Sequence, residues 1–284
     1  MKTPKRLLPL VENGLVDEVI SQLMSGKEAQ VYIVRCGENI RCAKVYKEAN
    51  QRSFKQAAQY QEGRTVRNTR RARAMAKRTS FGQKEQEEAW LSAEVDALYQ
   101  LAKAGVRVPE PLFFIDGVLL MELITDSEGY AAPRLNDVIL TPEQALAFHD
   151  RLIREIVRML CAGLVHGDLS EFNVLLDAQG PVIIDLPQAV NAAGNNNASR
   201  MLERDVANMR AYFGRFAPAL LTTEYGKEIW ALYEQGNLQP DTPLTGRFAR
   251  SKKAVDVKGV MQVIDVAKEE AFERRQRKAA FLDQ

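Results

Sequence analysis

The chain has 284 residues, of which 46% are hydrophobic and 27% charged, with a net charge of +2. This composition is typical of a soluble globular protein, and the length excludes a disulfide-stapled miniprotein. No uncharged apolar run approaches the roughly 20 residues of a membrane span, and the apolar patch near the N-terminus is too short for a signal peptide. We therefore expect a cytoplasmic protein without a membrane partner.

Cysteine and histidine are too scarce for the common metal centres. The three cysteines, Cys36, Cys42 and Cys161, show no CxxC spacing, and the chain has two histidines, His149 and His166. This pattern disfavours a disulfide framework and a structural zinc site. Any metal is expected to be held by oxygen ligands, which favours magnesium or manganese.

Positive charge is concentrated in one window, residues 47–84. The window holds eleven basic and two acidic residues, a net charge of +9. Such a block predicts a mobile loop. Seven of the basic residues are arginines, which suit phosphate groups. We interpret the window as a segment that binds RNA or an acidic partner, and a solvated surface is the alternative.

The first part of the chain is predicted to be rich in β-structure. Residues 30–35 and 40–46 are β-prone and predict a hairpin. From about residue 85 the apolar spacing predicts a helix that ends before Gly105. Two further strands are expected around the turn at Asp116 and Gly117.

The second part is predicted to be mainly helical. Thr141 and Gln144 form a capping-box pattern, which predicts a helix that ends at Gly163. Short strands at 174–176 and 182–184 follow. The remaining helices are expected at 199–216, 223–235 and 256–284.

The most specific motif is VHGDLSEFNVLL, residues 165–176. Asp168 and Asn173 have the spacing of the catalytic loop of protein kinases. Phosphoryl transfer requires a carboxylate that orients the attacking hydroxyl and oxygen ligands for magnesium. Asp185, after the next strand, stands where those enzymes have a metal-binding aspartate.

Lys44 lies in a predicted strand ahead of a helix rich in carboxylates. This order suits a lysine that binds the α- and β-phosphates of ATP and pairs with a helix glutamate. Glu87, Glu88 and Glu94 are the candidate partners. We prefer Glu94, because it lies one turn beyond Trp90, beside the apolar face of the helix.

Together these motifs resemble the RIO-type atypical protein kinases, in the branch without an N-terminal winged helix. Residues 24–29 read MSGKEA, residues 166–173 read HGDLSEFN and residues 183–190 read IIDLPQAV. The resemblance extends from about residue 25 to residue 216. It implies a bilobal, protein-kinase-like α+β fold, with a β-rich N-lobe over residues 1–122 and a mainly helical C-lobe over residues 123–284.

The resemblance also implies roles for individual residues. Asp168 would be the catalytic carboxylate, with Asn173 and Asp185 as magnesium ligands. Asp185 would also be a catalytic residue, as the acceptor in an aspartyl-phosphate. ATP and Mg²⁺ are the implied cofactors, with Mn²⁺ as an alternative ion. The implied ATP-binding residues are Ser25, Lys27, Val31, Cys42, Lys44, Glu94, Met121, Glu122, Ile124 and Leu175.

The departures from ordinary protein kinases narrow the expected function. About a dozen residues separate Asp185 from the next predicted helix, and no A-P-E motif follows, so a peptide-binding platform is not expected. We expect a serine/threonine kinase that phosphorylates itself, an ATPase that acts through an aspartyl-phosphate, or both. By the resemblance, the basic window 47–84 would contact ribosomal RNA or a ribosomal particle during its maturation.

Two other functions are compatible with parts of the pattern. A small-molecule phosphotransferase, such as an antibiotic or choline kinase, shares the H-G-D spacing, but residues 170–172 and Leu186 differ from that class. An inactive, ATP-binding assembly factor is opposed by the intact Asp168, Asn173 and Asp185.

Overall fold

The structure, a computed structural model, describes residues 3–26, 29–47 and 93–248. A compact unit runs from Met1 to Arg247, and a second unit, Phe248–Gln284, lies almost entirely outside the described residues. The helix predicted at 256–284 and all of the basic window except Lys47 also lie outside them.

The N-terminal part is a five-stranded antiparallel sheet with strand order β1-β2-β3-β5-β4. A short helix, α1 (Leu8–Glu12), precedes the first strand, and a helix over residues 93–103, α2, lies between β3 and β4 in the chain. Both predicted hairpins are present. The strands are β1 (Glu18–Ser25), β2 (Ala29–Cys36), β3 (Asn39–Tyr46), β4 (Pro111–Ile115) and β5 (Val118–Glu122).

Strand β1 was not predicted from the sequence. It is an edge strand in which Val19 is the one buried residue, so it lacks the alternation of apolar and polar residues that marks a half-buried strand. Its pairing with β2 also shifts register between Val19 and Ser21 and again between Gln22 and Met24. Such bulges further weaken a period-2 pattern.

The alternation of side chains in β3 separates two cores. Ala43 and Val45 pack with Leu7 and Leu10 on one face of the sheet. Tyr46 packs on the other face in the cluster that includes α2. Because successive side chains of a strand point to opposite faces, Lys44 shares the α2 face with Tyr46.

The C-terminal part is mainly helical. The Thr141–Gln144 capping box is present and begins α3 (Pro142–Cys161), which buries Leu152, Ile156 and Leu160. The other elements are β6 (Leu164–Val165), β7 (Val174–Asp177), β8 (Gly180–Ile183), β9 (Val190–Asn191), α4 (Ala198–Gly214), α5 (Tyr225–Glu234) and two 3₁₀ turns, Leu135–Asp137 and Pro218–Thr222.

This arrangement confirms the predicted bilobal α+β fold class. Strand β5 ends at Glu122, next to the predicted lobe boundary, which stays a prediction. Among the described residues, no helix is long and apolar enough to cross a membrane.

Candidate active site

A cleft of about 680 Å³ is lined by residues from both the sheet and the helical part. Its apolar lining includes Val31, Cys42, Met121, Ile124 and Leu175. The polar lining includes Lys44, Glu122, Asp168, Asn173 and Asp185. The cleft therefore brings together most of the residues that the sequence analysis selected.

Lys44 is held between two carboxylates at the polar end of the cleft. Its Nζ lies 2.6 Å from Glu94 Oε1 and 2.9 Å from Asp185 Oδ1. The Lys44 side chain is 13% exposed and that of Glu94 is 4% exposed. Burial opposes the charged form of Lys44, but Asp185 and then Glu94 raise its pKa well above the ordinary value. Lys44 is thus a fixed cation.

Asp185 is oriented by an unusual backbone conformation. Its φ is +66°, in the left-handed region that aspartate tolerates better than most residues. The nearby Lys44 is the main cause of a lowered pKa for Asp185, although burial acts in the opposite direction. Asp185 is therefore an ionised carboxylate at neutral pH. A residue held in this region is typical of a functional site.

The loop over residues 166–173, called the catalytic loop here, is hydrogen-bonded to the segment that carries Asp185. The Ile184 N–H donates to the Asn173 carbonyl at 3.0 Å, and His166 Nε2 lies 3.1 Å from the Ile184 carbonyl. His166 Nδ1 accepts from the Asp168 N–H at 3.3 Å, and Nε2 is the ring nitrogen that faces the Ile184 carbonyl. These bonds fix Asp168, Asn173 and Asp185 relative to one another.

Asp168 and Asn173 face the cleft with different chemistry. Asn173 Nδ2 donates to the Asp168 carbonyl at 2.8 Å, which leaves Asn173 Oδ1 as the group available to a cation. Partial burial raises the pKa of the Asp168 carboxyl above its ordinary value, while the charges of His166 and Arg204 oppose the change. A raised pKa makes Asp168 a better proton acceptor.

Asp205, on α4, supports the catalytic loop and was missed by the sequence analysis. It is 1% exposed, and its carboxylate accepts from the Gly167 N–H at 2.7 Å and the Leu169 N–H at 3.1 Å. Asn208 Nδ2 adds a bond to the Leu169 carbonyl at 3.0 Å. A sequence signal existed, because Asp205 interrupts an otherwise apolar helix face that includes Met201 and Met209.

Several of the implied ATP-binding residues surround the apolar end of the cleft. Met121 and Glu122 end β5, and the Ala132 N–H donates to the Ile124 carbonyl at 2.9 Å. Cys42 is 5% exposed, and burial raises the pKa of its thiol to about 12, with Lys44 opposing the shift. Cys42 is therefore a neutral, apolar part of the lining.

One predicted ATP contact, Ser25, is placed outside the cleft lining. Ser25 is exposed at the end of β1, and among the described residues the cleft lining includes its neighbours Met24 and Gly26 rather than Ser25. Lys27 lies outside the described residues, as do Glu87 and Glu88, the other candidate partners of Lys44. The roles of Ser25 and Lys27 stay predictions.

Arg134 and Asp137 also line the cleft and were not selected from the sequence. Arg134 immediately precedes the 3₁₀ turn Leu135–Asp137, and Asp137 is the last residue of that turn. In the sequence, these two residues form no recognised motif.

The sequence model of the RIO domain family matches residues 30–225 of this chain. The chain belongs to the RIO family. The match includes Lys44, Glu94, the catalytic loop and Asp185, so the RIO domain of this chain contains the polar end of the cleft.

Curated RIO proteins resemble this RIO chain over most of its length. The serine/threonine-protein kinase rio1 of Schizosaccharomyces pombe is 31% identical over 228 residues, which cover 78% of this chain and 43% of that protein. The RIO-type serine/threonine-protein kinase Rio1 of Haloferax volcanii is 34% identical, covering 72% of this chain and 67% of that protein. The chain thus spans less than half of the first relative and about two thirds of the second.

A solved RIO structure has a similar fold. The crystal structure of a Rio2 kinase–ADP/Mg²⁺–phosphoaspartate complex from Chaetomium thermophilum matches with a TM-score of 0.52 and 26% sequence identity. The match covers 74% of this chain and 59% of that one. It supports the kinase-like fold of this RIO chain.

Proposed function

We propose that this RIO chain binds Mg-ATP in the cleft and transfers the γ-phosphoryl group, as a serine/threonine kinase, as an ATPase, or as both. The observation that carries the proposal is that Lys44, Asp168, Asn173 and Asp185 line one cleft in a chain of this family. The related proteins named above are serine/threonine kinases, and the similar Rio2 structure is a complex with ADP and Mg²⁺.

The oxygen donors of the cleft fit a magnesium ion. Asp185 supplies a carboxylate and Asn173 an amide oxygen, and Mg²⁺ is usually held by one or two such groups together with phosphate oxygens and water. Within the described residues there is no group of three or more His, Cys, Asp or Glu side chains that could hold a metal. That result fits an ion that needs the nucleotide to complete its shell. Mg²⁺ would neutralise charge on the transferred phosphoryl group.

The remaining polar residues have separate tasks in this proposal. Lys44, charged and held by Glu94, would bind the α- and β-phosphates. Asp168 would orient an attacking hydroxyl and accept its proton as the oxygen attacks the γ-phosphorus. The bond from that phosphorus to the bridging oxygen breaks, and its electron pair leaves with ADP. The segment at the end of β5, which includes Met121, Glu122 and Ile124, would contact adenine.

The acceptor is either a serine hydroxyl or the Asp185 carboxylate. Asp185 lines the same cleft as Asp168, and the similar Rio2 structure is a phosphoaspartate complex. A carboxylate nucleophile gives an acyl phosphate, which water then hydrolyses, so the net reaction is that of an ATPase. Acyl phosphate is cleaved by hydroxylamine, whereas phosphoserine is stable.

The acceptor can be identified with labelled ATP. The protein is incubated with γ-labelled Mg-ATP, quenched in acid and divided into samples with and without hydroxylamine. Label lost to hydroxylamine and absent from Asp185→Asn identifies the aspartyl route. Label that survives and maps to serine makes the protein a serine kinase and excludes that route.

Turnover of ATP by the purified protein separates this proposal from the inactive assembly factor. Stimulation by choline or an aminoglycoside would favour the small-molecule phosphotransferase, which the intact RIO motifs disfavour. Binding of ATP without any turnover, in the presence of Mg²⁺ and candidate protein substrates, would contradict the transferase function.

We also propose a macromolecular partner and a cellular location for this chain. The +9 window, residues 47–84, is proposed to bind ribosomal RNA or a ribosomal particle in the cytoplasm. The cysteines among the described residues are free thiols, as is usual in a reducing compartment. Replacing Arg70, Arg71 and Arg73 by Gln should flatten the log–log salt dependence of RNA binding by roughly 2. An unchanged slope would contradict the RNA contact.

A further inference from the structure

Arg134 lines the cleft and lies in a segment whose backbone is hydrogen-bonded to β7 and to the catalytic loop. Its backbone bridges to Leu175 of β7, and the next hydrogen bond joins the Leu176 N–H to the Pro133 carbonyl at 2.9 Å. The Asn136 N–H donates to the Glu171 carbonyl in the catalytic loop at 3.1 Å. The segment is therefore fixed on both sides of Arg134.

A side chain from α4 fixes the same segment. The Tyr212 hydroxyl donates to the Leu135 carbonyl, and the Tyr212 ring packs 4.5 Å from the Arg215 guanidinium. Arg215 in turn lies 3.9 Å from Glu171. These contacts hold the backbone on both sides of Arg134, so the fold determines where this residue lies.

In the described part of the chain, two cationic side chains line the cleft, and Arg134 has a weaker hydrogen-bond acceptor than Lys44. Among the described lining residues, the basic side chains are Lys44 and Arg134, against four carboxylates. Lys44 already contacts Glu94 and Asp185. Arg134 Nη2 instead contacts the Met24 sulfur at 2.6 Å, and a thioether is a weak acceptor.

A nucleotide would offer Arg134 better acceptors than a thioether. Arg134 is half-buried, and Met24, which it contacts, is followed directly by Ser25, one of the implied ATP-binding residues. Arg134 lines the same cleft as Lys44 and Asp185, the residues at its polar end. Arginine forms charge-assisted, often bidentate, hydrogen bonds with phosphate.

We propose that Arg134 is a further nucleotide-binding residue, which leaves Met24 and binds the polyphosphate of ATP when the nucleotide enters. The inference rests on the proposed function, because it requires ATP in this cleft. It adds a second protein cation to Lys44 in the cleft lining. The contact with Met24 joins β1 to the segment after β5.

Binding of three ligands distinguishes a phosphate contact from a structural role. The affinities of ATP, ADP and adenosine are measured by calorimetry with the metal chelated, for the wild type, Arg134→Met and Arg134→Lys. Arg134→Met keeps an apolar stem beside Met24 and removes the charge. We expect it to weaken ATP and ADP binding about tenfold or more and to leave adenosine binding unchanged. The loss of ATP and ADP affinity should be smaller in Arg134→Lys than in Arg134→Met.

A matched control is Arg154→Met, since Arg154 is an exposed arginine of α3 that pairs with Asp150 at 3.0 Å. It should leave all three affinities unchanged. Equal losses for ATP, ADP and adenosine in Arg134→Met would overturn the proposal and make Arg134 structural, and so would the absence of any loss. A wild-type protein that binds no ATP even when Mg²⁺ is supplied would instead overturn the proposed function. Arg134→Lys serves as the test variant if Arg134→Met does not fold.

Discussion

Lys44 Nζ and Asp185 Oδ1 lie 2.9 Å apart although 141 positions separate the two residues in the chain. The contact joins strand β3 of the sheet to the loop after β8. Lys44 also binds Glu94 of α2 at 2.6 Å, so one cation connects three elements. In the nucleotide-bound protein the same cation would be shared with phosphate, which links ATP binding to the position of the proposed metal ligand.

Substitutions of Glu94 and Asp185 should have non-additive effects on the free energy of unfolding, because both residues pair with Lys44. Removing Glu94 or Asp185 alone leaves Lys44 with one carboxylate, whereas removing both leaves a largely buried charge unpaired. Glu94→Gln combined with Asp185→Asn should therefore destabilise the protein by about 1 kcal/mol or more beyond the sum of the single changes. Urea unfolding of the four proteins measures this coupling.

The matched control combines Glu94→Gln with Asp150→Asn, because Asp150 pairs with Arg154 at the surface of α3. Those two changes should be additive within about 0.5 kcal/mol. Additive behaviour of the Glu94 and Asp185 changes would mean that Lys44 does not link them energetically.

Asp185 should support ATP binding through magnesium. Asn is the suitable replacement, because it tolerates the φ of +66° better than Ala. Asp185→Asn should weaken ATP binding in the presence of Mg²⁺ and much less when the metal is chelated. Titration of ATP under both conditions tests this, and equal losses would make the role of Asp185 structural.

Asp205 should make stability depend on pH. Burial raises the pKa of its carboxyl to about 6, against the opposing effects of His166 and the hydrogen bonds from Gly167 and Leu169. Between about pH 4 and 6 the folded protein then holds a proton that the unfolded chain has released. Stability therefore falls as the pH rises through this range, by an amount on the order of 3 kcal/mol at most.

Asp205→Asn removes this titration and leaves one acceptor oxygen for two N–H donors. Urea unfolding from pH 4 to 7 should show the wild type losing stability relative to the variant as the pH rises. At neutral pH the variant should turn over ATP more slowly with nearly unchanged ATP affinity, since the catalytic loop is loosened. Parallel pH profiles would contradict the assignment.

His149 should produce the opposite slope. It is 2% exposed, packs against Phe213 and Tyr225 with ring centroids 5.6 Å apart, and its pKa is lowered by burial to about 4, with Asp150 opposing. The unfolded chain then binds more protons between about pH 4 and 6.5, so stability falls as the pH falls. His149→Leu should lose this acid sensitivity, on the order of 3 kcal/mol. An unchanged acid limb in unfolding experiments would contradict the prediction.

Local patterns in the sequence predicted much of the fold and of the site. Asp168 and Asn173 lie in one loop, so their spacing alone indicates their chemistry. The capping box at Thr141 and the β-prone residues of β2 and β3 are likewise short-range signals. The choice of Glu94 for Lys44 depended on the apolar face of a helix, and the structure pairs these residues at 2.6 Å.

The residues that were missed depend on long-range packing. Asp205 meets Gly167 across 38 positions, and no local spacing connects them. Arg134 reaches Met24 across 110 positions because β7 and Tyr212 hold its segment. The edge strand β1 buries too little apolar surface to show a period of two. Asp205 and Arg134 are therefore placed by contacts that no local sequence pattern encodes.

The most direct test of phosphoryl transfer is the rate of Mg-ATP turnover by Asp168→Asn, measured together with its ATP affinity. Asp168 lines the cleft and is proposed to act on the attacking hydroxyl rather than to hold the nucleotide. Turnover should fall by about 10² to 10⁴-fold, the usual contribution of a positioned general base, while ATP affinity changes little. An Asp168→Asn protein that turns over ATP at the wild-type rate would contradict the account.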